Sequence, residues 1–250
     1  MNVEAGTHAL PADTRAGRRI YVFTAALFLA TAMVGFNPNV VAILEGRYSV
    51  PPIVYVHGAT MMAWLVLLIV QSTLMAAGRP RVHRMLGTVA FALVPAMLVV
   101  MIATSIDGYH RHLAGGRPRV LLANALLGEA SLVLQFGVLA GVALLARRAA
   151  PETHKRMILV ATVPLLNAAV GRMSWLPFTA GTSGEFDYVS ALYPLVLIVP
   201  ALLNDVARIG RVHRAYLVGI AIVVVSTAAT RELWSSPWWH GIVRALLPNG

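Results

Sequence analysis

Three histidines stand next to arginine or lysine at the start of an apolar segment. They are His83, His154 and His213. Imidazole is the usual axial ligand of haem iron and a frequent zinc ligand, and such sites draw ligands from different helices. The short sequences around these three histidines therefore allow two predictions. The histidines form a haem or metal site at one depth of a membrane. Alternatively, since the flanking cations would repel a metal ion, these sequences anchor the protein at the interface through lipid phosphates.

A fourth histidine, His57, is expected at a different depth in the membrane. It begins an apolar segment that ends near Ala76, so a helix there separates it from His83 by roughly 28 Å. One iron cannot bind both residues. A two-haem arrangement would use His57 with His110 or His112 on one side of the membrane and two of the other three histidines on the other side.

Polar residues within apolar segments are costly and carry functional information. His57, Trp64 and Gln71 recur every seven residues, which places them on one face of a helix. This stripe predicts either a polar track for protons, ions or a cofactor edge, or a helix face turned toward the interior of a bundle.

Two ionisable residues lie deeper in the apolar segments. Glu129 and Arg172 are expected in antiparallel neighbouring helices at similar depth, so a direct ion pair is predicted. The pair is either structural, or Arg172 anchors an anionic substrate or haem propionate with Glu129 and His57 handling protons. Asp205, which ends a later segment, is interpreted as a polar residue at a helix end.

These residues need a membrane-embedded scaffold. The chain has 250 residues, 58% of them hydrophobic and 12% charged, and a mean hydropathy of +0.73. Residues 20–44 and 85–106 carry no charge, and each run is long enough to cross a bilayer. Because the runs are continuously apolar, they predict helices and not barrel strands. Cysteine is absent, which excludes disulfides, thiolate metal sites and iron–sulfur clusters.

The predicted fold is an all-α polytopic bundle with a cytoplasmic tail at 1–19, a transmembrane domain at 20–231 and an outer interfacial segment at 232–250. Asn37-Pro38-Asn39 is expected to end the first span. Seven spans are predicted, at about 20–36, 52–77, 83–105, 120–146, 154–176, 188–207 and 213–231.

The net charge of +10 is explained by the way the basic residues are distributed between the two sides of the membrane. With the N-terminus inside, 13 of the 20 basic residues fall on the cytoplasmic side, so the positive-inside rule predicts an inner N-terminus and an outer C-terminus. The expected partner is therefore the lipid bilayer and not nucleic acid. Gly137 and Gly141 permit close helix approach, for internal packing or a homo-oligomer.

Short phrases extend these patterns over residues 50–240. His83-Arg84-Met85-Leu86-Gly87, and His154 followed by Lys-Arg-Met, resemble a group of uncharacterised bacterial multi-span proteins of the DUF2306 type. The resemblance implies a bacterial inner-membrane protein and no established activity.

Three function classes follow from the residues. A membrane redox protein that binds haem b or a metal uses the most histidines, together with Arg172. A permease or channel would use the stripe and the two interior charges. A structural or assembly protein would need none of them as a site. Motifs for phosphate loops, dinucleotide binding and common zinc proteases are absent.

Overall fold

The computed structural model describes residues 15–176, Phe186 and residues 191–248. Within these residues all regular secondary structure is helical. The helices are α1 (Arg15–Leu44), α2 (Pro52–Ala76), α3 (Pro80–Gly87), α4 (Ala90–Ala114), α5 (Arg119–Ala146), α6 (Pro151–Thr162), α7 (Asn167–Val170), α8 (Val199–Ile209), α9 (Arg214–Leu233) and α10 (Pro237–Leu246), with 3₁₀ turns at Pro164–Leu166 and Tyr193–Ile198.

Proline marks where four of these helices begin. α2, α3, α6 and α10 each start at a proline, where the missing N–H would have had no intrahelical partner. Pro38 behaves differently, because α1 continues through it to Leu44. The prediction that the first span ends at Asn37-Pro38-Asn39 is wrong. An interior proline can kink a helix without ending it when the remaining backbone hydrogen bonds persist.

Five helical stretches are long and apolar enough to cross a membrane. They are Gly17–Leu44, Pro52–Ala76, Pro80–Ala114, Arg119–Ala146 and Arg214–Leu233. Large apolar side chains on their outer faces, such as Leu134, Val99 and Val225, are exposed, as expected of surfaces that meet lipid. The prediction of a helical, membrane-type protein is therefore confirmed at the level of five candidate spans.

The other two predicted spans are interrupted. The segment at 154–176 is divided among α6, the turn at Pro164–Leu166 and α7. The segment at 188–207 lies partly outside the described residues, and its described part consists of the turn at Tyr193–Ile198 and α8. Prolines 164, 194 and 200 stand at these interruptions, where they remove backbone donors that a continuous helix would need. The count of seven is not supported, and neither is the predicted orientation.

α5 lies at the centre of the bundle and packs against α4, α6, α9 and α10. Phe136, Leu139 and Ala140 of this helix are fully buried in the main core. A Cβ built on Gly137 would lie 3.3 Å from Leu98 of α4, so this glycine serves internal packing. Gly141 has open space beside it.

The C-terminal helix is fastened to the start of α5. Asn124 accepts from Ser235 N (3.1 Å), makes a 2.9 Å bond to His240 Nε2 and donates to Ser235 Oγ (2.9 Å). Trp239 Nε1 donates to the carbonyl of Ala123 (2.7 Å). The predicted segment at 232–250 thus includes an ordered helix attached to the bundle, whereas residues 1–14 of the predicted tail lie outside the described part.

Candidate functional site

Several polar contacts between helices lie at one end of the bundle. Arg18 at the start of α1 donates to the carbonyl of Met75 at the end of α2 (3.1 Å). His154 at the start of α6 contacts the carbonyl of Ala143 near the end of α5 (2.8 Å). Helix starts and ends therefore alternate there, as an up-and-down bundle requires. We call this the basic end.

A cavity of about 480 Å³ lies at the basic end, bounded by α1 to α6. Its deeper wall is apolar, with Leu68, Leu144 and Leu159 among its side chains, and Phe91 and Trp64 add aromatic surface. We call it the basic pocket, because its lining includes five cationic side chains: Arg18, Arg84, Arg147, Arg148 and Lys155.

The positive charge in the basic pocket is only partly neutralised. Glu152 is the one acidic residue in its lining, and it already contacts Lys155 (2.8 Å) and Arg156 (2.6 Å). Arg147 lies over the ring of Phe91, 4.3 Å from its centroid. The side chains of Arg84 and Arg148 make no ion pair or hydrogen bond in the part of the chain that the structure describes. The pocket therefore favours an anionic group at its rim.

The charge on Glu152 is maintained by its neighbours. Partial burial disfavours the carboxylate, but hydrogen bonds and positive charge from Lys155 and Arg156 outweigh that effect and hold the pKa of Glu152 below its usual value. The ionised form of Glu152 is therefore favoured, and it contacts both cations.

Behind the basic pocket, a buried ion pair joins α6 to α8. Arg156 binds Asp205 through Nε to Oδ2 (2.8 Å) and Nη2 to Oδ1 (2.7 Å), and the two side chains are only 4% and 2% exposed. Asp205 also accepts from the backbone N–H of His213 (3.2 Å). This bidentate geometry links three helices in a region where unpaired charge would be expensive.

The sequence analysis missed this pair. Asp205 was predicted to be a polar residue at a helix end, yet it and Arg156 are both buried. The only sequence signal was Glu152 four residues before Arg156, a spacing that predicts a contact on one helix face. Nothing in the sequence connects residues 156 and 205, which are brought together by tertiary packing.

The histidines 83, 154 and 213, which were predicted to form one group, lie in two different environments. His83 and His154 both line the basic pocket. His213 does not, because it caps α9: its Nδ1 accepts from Ala215 N (3.1 Å). A helix cap of this kind satisfies a backbone donor and has a structural role, so His213 is unsuited to the predicted ligand set.

The outer histidines are not assembled. His57 is half-buried near the start of α2, and its Nδ1 has no hydrogen-bond partner within the described residues. His110 stacks edge-on against Tyr109, with ring centroids 5.5 Å apart. In the described part of the chain no hydrogen bond or ring contact joins His57 to His110 or His112, and the outer haem pair stays a prediction.

The predicted stripe is divided by packing. Trp64 is 3% exposed, and its Nε1 donates to Thr162 Oγ1 (3.1 Å), while its ring meets Phe136 edge-on at 5.2 Å. Trp64 and Gln71 line the basic pocket and His57 does not. Two of the three residues thus face the bundle interior, and no continuous polar track follows the helix.

Glu129 and Arg172 do not form the predicted ion pair. Glu129 is on the exposed surface of α5 beside Ser105 of α4. Arg172 is exposed just beyond α7, donates to the carbonyl of Ala168 (2.6 Å) and lies 4.7 Å from the ring centroid of Phe36. Each residue faces a different neighbouring helix, which sequence depth alone could not reveal. Neither lines the basic pocket.

The basic pocket can be tested against the predicted cofactor. Haem b is a planar apolar ring with two carboxylates and an iron that takes imidazole nitrogen. The apolar wall, the cationic rim and two histidines in one cavity suit these three parts. A metal ion without a macrocycle fits less well, since the described residues contain no group of three or more His, Cys, Asp or Glu side chains that could hold it.

Comparison of this chain with protein-family models, with curated proteins and with solved structures finds no match.

Proposed function

We propose that this membrane protein binds haem b in the basic pocket and takes part in electron transfer at the membrane. The observation that carries the proposal is that one cavity combines an apolar wall, His83 and His154, and a rim of five cations with one already paired acid. Haem b complements this cavity, because it has an apolar ring, two carboxylates and an iron atom that binds imidazole nitrogen.

The residues of the pocket would divide the work of binding. Leu68, Leu144 and Leu159 would cover the faces of the ring, with stabilisation from apolar burial. Arg84 and Arg148, which have no ion-pair partner in the described residues, would receive the propionates. When bound, haem supplies one-electron redox chemistry.

The arrangement in the membrane is also a proposal. Most of the basic residues collect at the basic end, so the positive-inside rule places this end in the cytoplasm and the end that carries α10 outside. The interrupted helical segments at 154–170 and 191–209 would complete seven crossings, since non-helical backbone is tolerated where protein buries it. The bacterial inner membrane is the proposed location.

The first test is an optical spectrum of the detergent-purified full-length chain, oxidised and reduced with dithionite, beside an iron analysis. We expect a Soret band that shifts on reduction and an iron content that falls in His154→Ala. His110→Ala is the matched control, because it removes a histidine outside the pocket. A protein without colour or iron, unchanged by added haemin, would refute the proposal.

A second candidate function is the binding of an amphiphilic anion that contains no iron, such as a lipid phosphate. The excess of cations over acids at the pocket rim favours it. Lipid analysis of the purified protein tests it: the replacement of Arg84 and Arg148 by glutamine should remove a bound anionic lipid, and replacement of His154 should not. A permease has no comparable support. Trp64 is buried and hydrogen-bonded to Thr162, so the stripe that this alternative would use is not a continuous polar track.

A further inference from the structure

The two pocket histidines have different hydrogen-bond partners at Nδ1. His154 Nδ1 is 2.8 Å from the carbonyl oxygen of Ala143, and a carbonyl oxygen can only accept. In the neutral ring, Nδ1 therefore carries the proton and Nε2 has a lone pair. A backbone carbonyl that orients an imidazole in this way is the usual outer partner of a histidine that ligates a metal.

His83 is held by Gln71 in the opposite manner. The amide orientation of Gln71 that satisfies its neighbours has its oxygen accepting from Gly87 N (2.8 Å). Its nitrogen then donates to the His83 carbonyl (3.1 Å) and to His83 Nδ1 (2.5 Å). The backbone oxygen of Gln71 is farther from this nitrogen, at 3.3 Å. His83 Nδ1 is thus an acceptor, and Nε2 carries the proton.

From this difference we infer that His154, and not His83, is the histidine of the basic pocket that would ligate haem iron, and that His83 is a hydrogen-bond donor to whatever occupies the pocket. This inference rests on the proposed function for its iron, but the tautomers themselves belong to the protein alone. It replaces a two-histidine arrangement by one with a single histidine ligand.

The fold supports this assignment on both sides. His154 lies one turn before Ile158 and Leu159, which line the same pocket, and its carbonyl partner is on the central helix α5. For His83 to present a lone pair, Gln71 would have to break its bond to Nδ1, although the same amide also holds Gly87. The hydrogen bonds from Gln71 that hold His83 in place therefore also keep its Nε2 a donor.

The first experiment uses the full-length chain loaded with haemin and reduced with dithionite. We expect a ferrous spectrum without the signature of two histidine ligands, whose Soret band shifts when carbon monoxide is added. His154→Ala should lose the haem and recover it with added imidazole. His83→Ala should bind haem more weakly, because a donor to the occupant is lost, but should keep the carbon monoxide shift. The control His110→Ala, outside the pocket, should match the wild-type chain.

The outcomes separate the two proposals. A six-coordinate, low-spin ferrous spectrum that is insensitive to carbon monoxide, and that both His83→Ala and His154→Ala abolish, would overturn the one-ligand inference and leave haem binding intact. Failure of the wild-type chain to bind haemin would overturn both.

A second measurement does not need haem. Nitrogen-15 NMR of histidine-labelled protein distinguishes protonated from unprotonated ring nitrogens, and the His83→Ala and His154→Ala variants assign the signals. We expect an unprotonated Nδ1 in His83 and an unprotonated Nε2 in His154. The same tautomer in both residues would refute the inference, whatever the pocket binds.

Discussion

Replacement of Asp205 by asparagine removes one charge from the buried pair and nearly preserves the side-chain shape. Asp205 and Arg156 are 2% and 4% exposed and share two hydrogen bonds of 2.7 and 2.8 Å. The Asp205→Asn variant leaves the guanidinium buried with Glu152 as its remaining acidic contact. Removal of one partner from a buried pair typically costs about 3–5 kcal/mol. Because Glu152 compensates in part, we expect a loss near the lower figure, about 3 kcal/mol.

The chain contains a matched control for this change. Arg111 and Asp107 form an ion pair at the same 2.7 Å distance, but their side chains are 42% and 35% exposed. Exposed pairs contribute about 0–1 kcal/mol, so Asp107→Asn should have little effect. The free energy of unfolding of both variants is measured by denaturant titration in mixed micelles, with tryptophan fluorescence as the signal.

Two results would refute the reasoning about Asp205. The first is an Asp205→Asn loss within about 1 kcal/mol of the Asp107→Asn loss, since burial would then make no difference to the pair. The second concerns a double variant, Asp205→Leu with Arg156→Met. A buried pair replaced on both sides by apolar residues is often neutral, so this variant should be more stable than Asp205→Asn. A larger loss in the double variant would show that the pair has another role.

Three further predictions concern other contacts. Trp64→Phe should lose about 1 kcal/mol of unfolding free energy with the bond to Thr162; a double-mutant cycle with Thr162→Val checks this, and zero coupling energy contradicts it. Asn124→Leu should release α10 from α5, because Asn124 is the shared partner of Ser235 and His240; limited proteolysis should then cut the C-terminal helix faster, and unchanged cleavage would refute the attachment. The lowered pKa of Glu152 means that its stabilisation is complete above the ordinary value of 4.5 and is lost as pH falls through the lower folded-state pKa; in titrations of stability against pH, the acid-side decline should be smaller in Glu152→Gln, and equal slopes would contradict it.

Local patterns predicted the class of the fold well. Continuous apolar runs indicate helices of spanning length because the bilayer core leaves no other way to satisfy backbone hydrogen bonds. The same local reasoning did not separate long helices from interrupted ones. Pro38 lies inside α1, whereas Pro164 stands at a break between α6 and α7. Whether a proline ends a helix depends on what surrounds the backbone groups that it frees.

The sequence indicated candidate histidines and charged residues, but not which of them lie together in one cavity. The sequence indicated His83, His154 and His213 as one group, and the structure places only the first two in the basic pocket because His213 caps a helix. It also indicated a pair between Glu129 and Arg172, where the buried pair joins Arg156 to Asp205. Depth along a helix can be read from residue number, but the direction in which a side chain faces depends on helix rotation and packing.

The sequence by itself therefore determined that this chain is helical, membrane-like and most basic at one set of helix ends, because hydropathy and charge act on each segment locally. Only the tertiary structure decided which of those ends enclose a pocket, that Gln71 contacts His83 and the carbonyl of Ala143 contacts His154, and that Asp205 neutralises Arg156. These features depend on contacts between residues far apart in the chain, and their distances follow from the packing of whole helices.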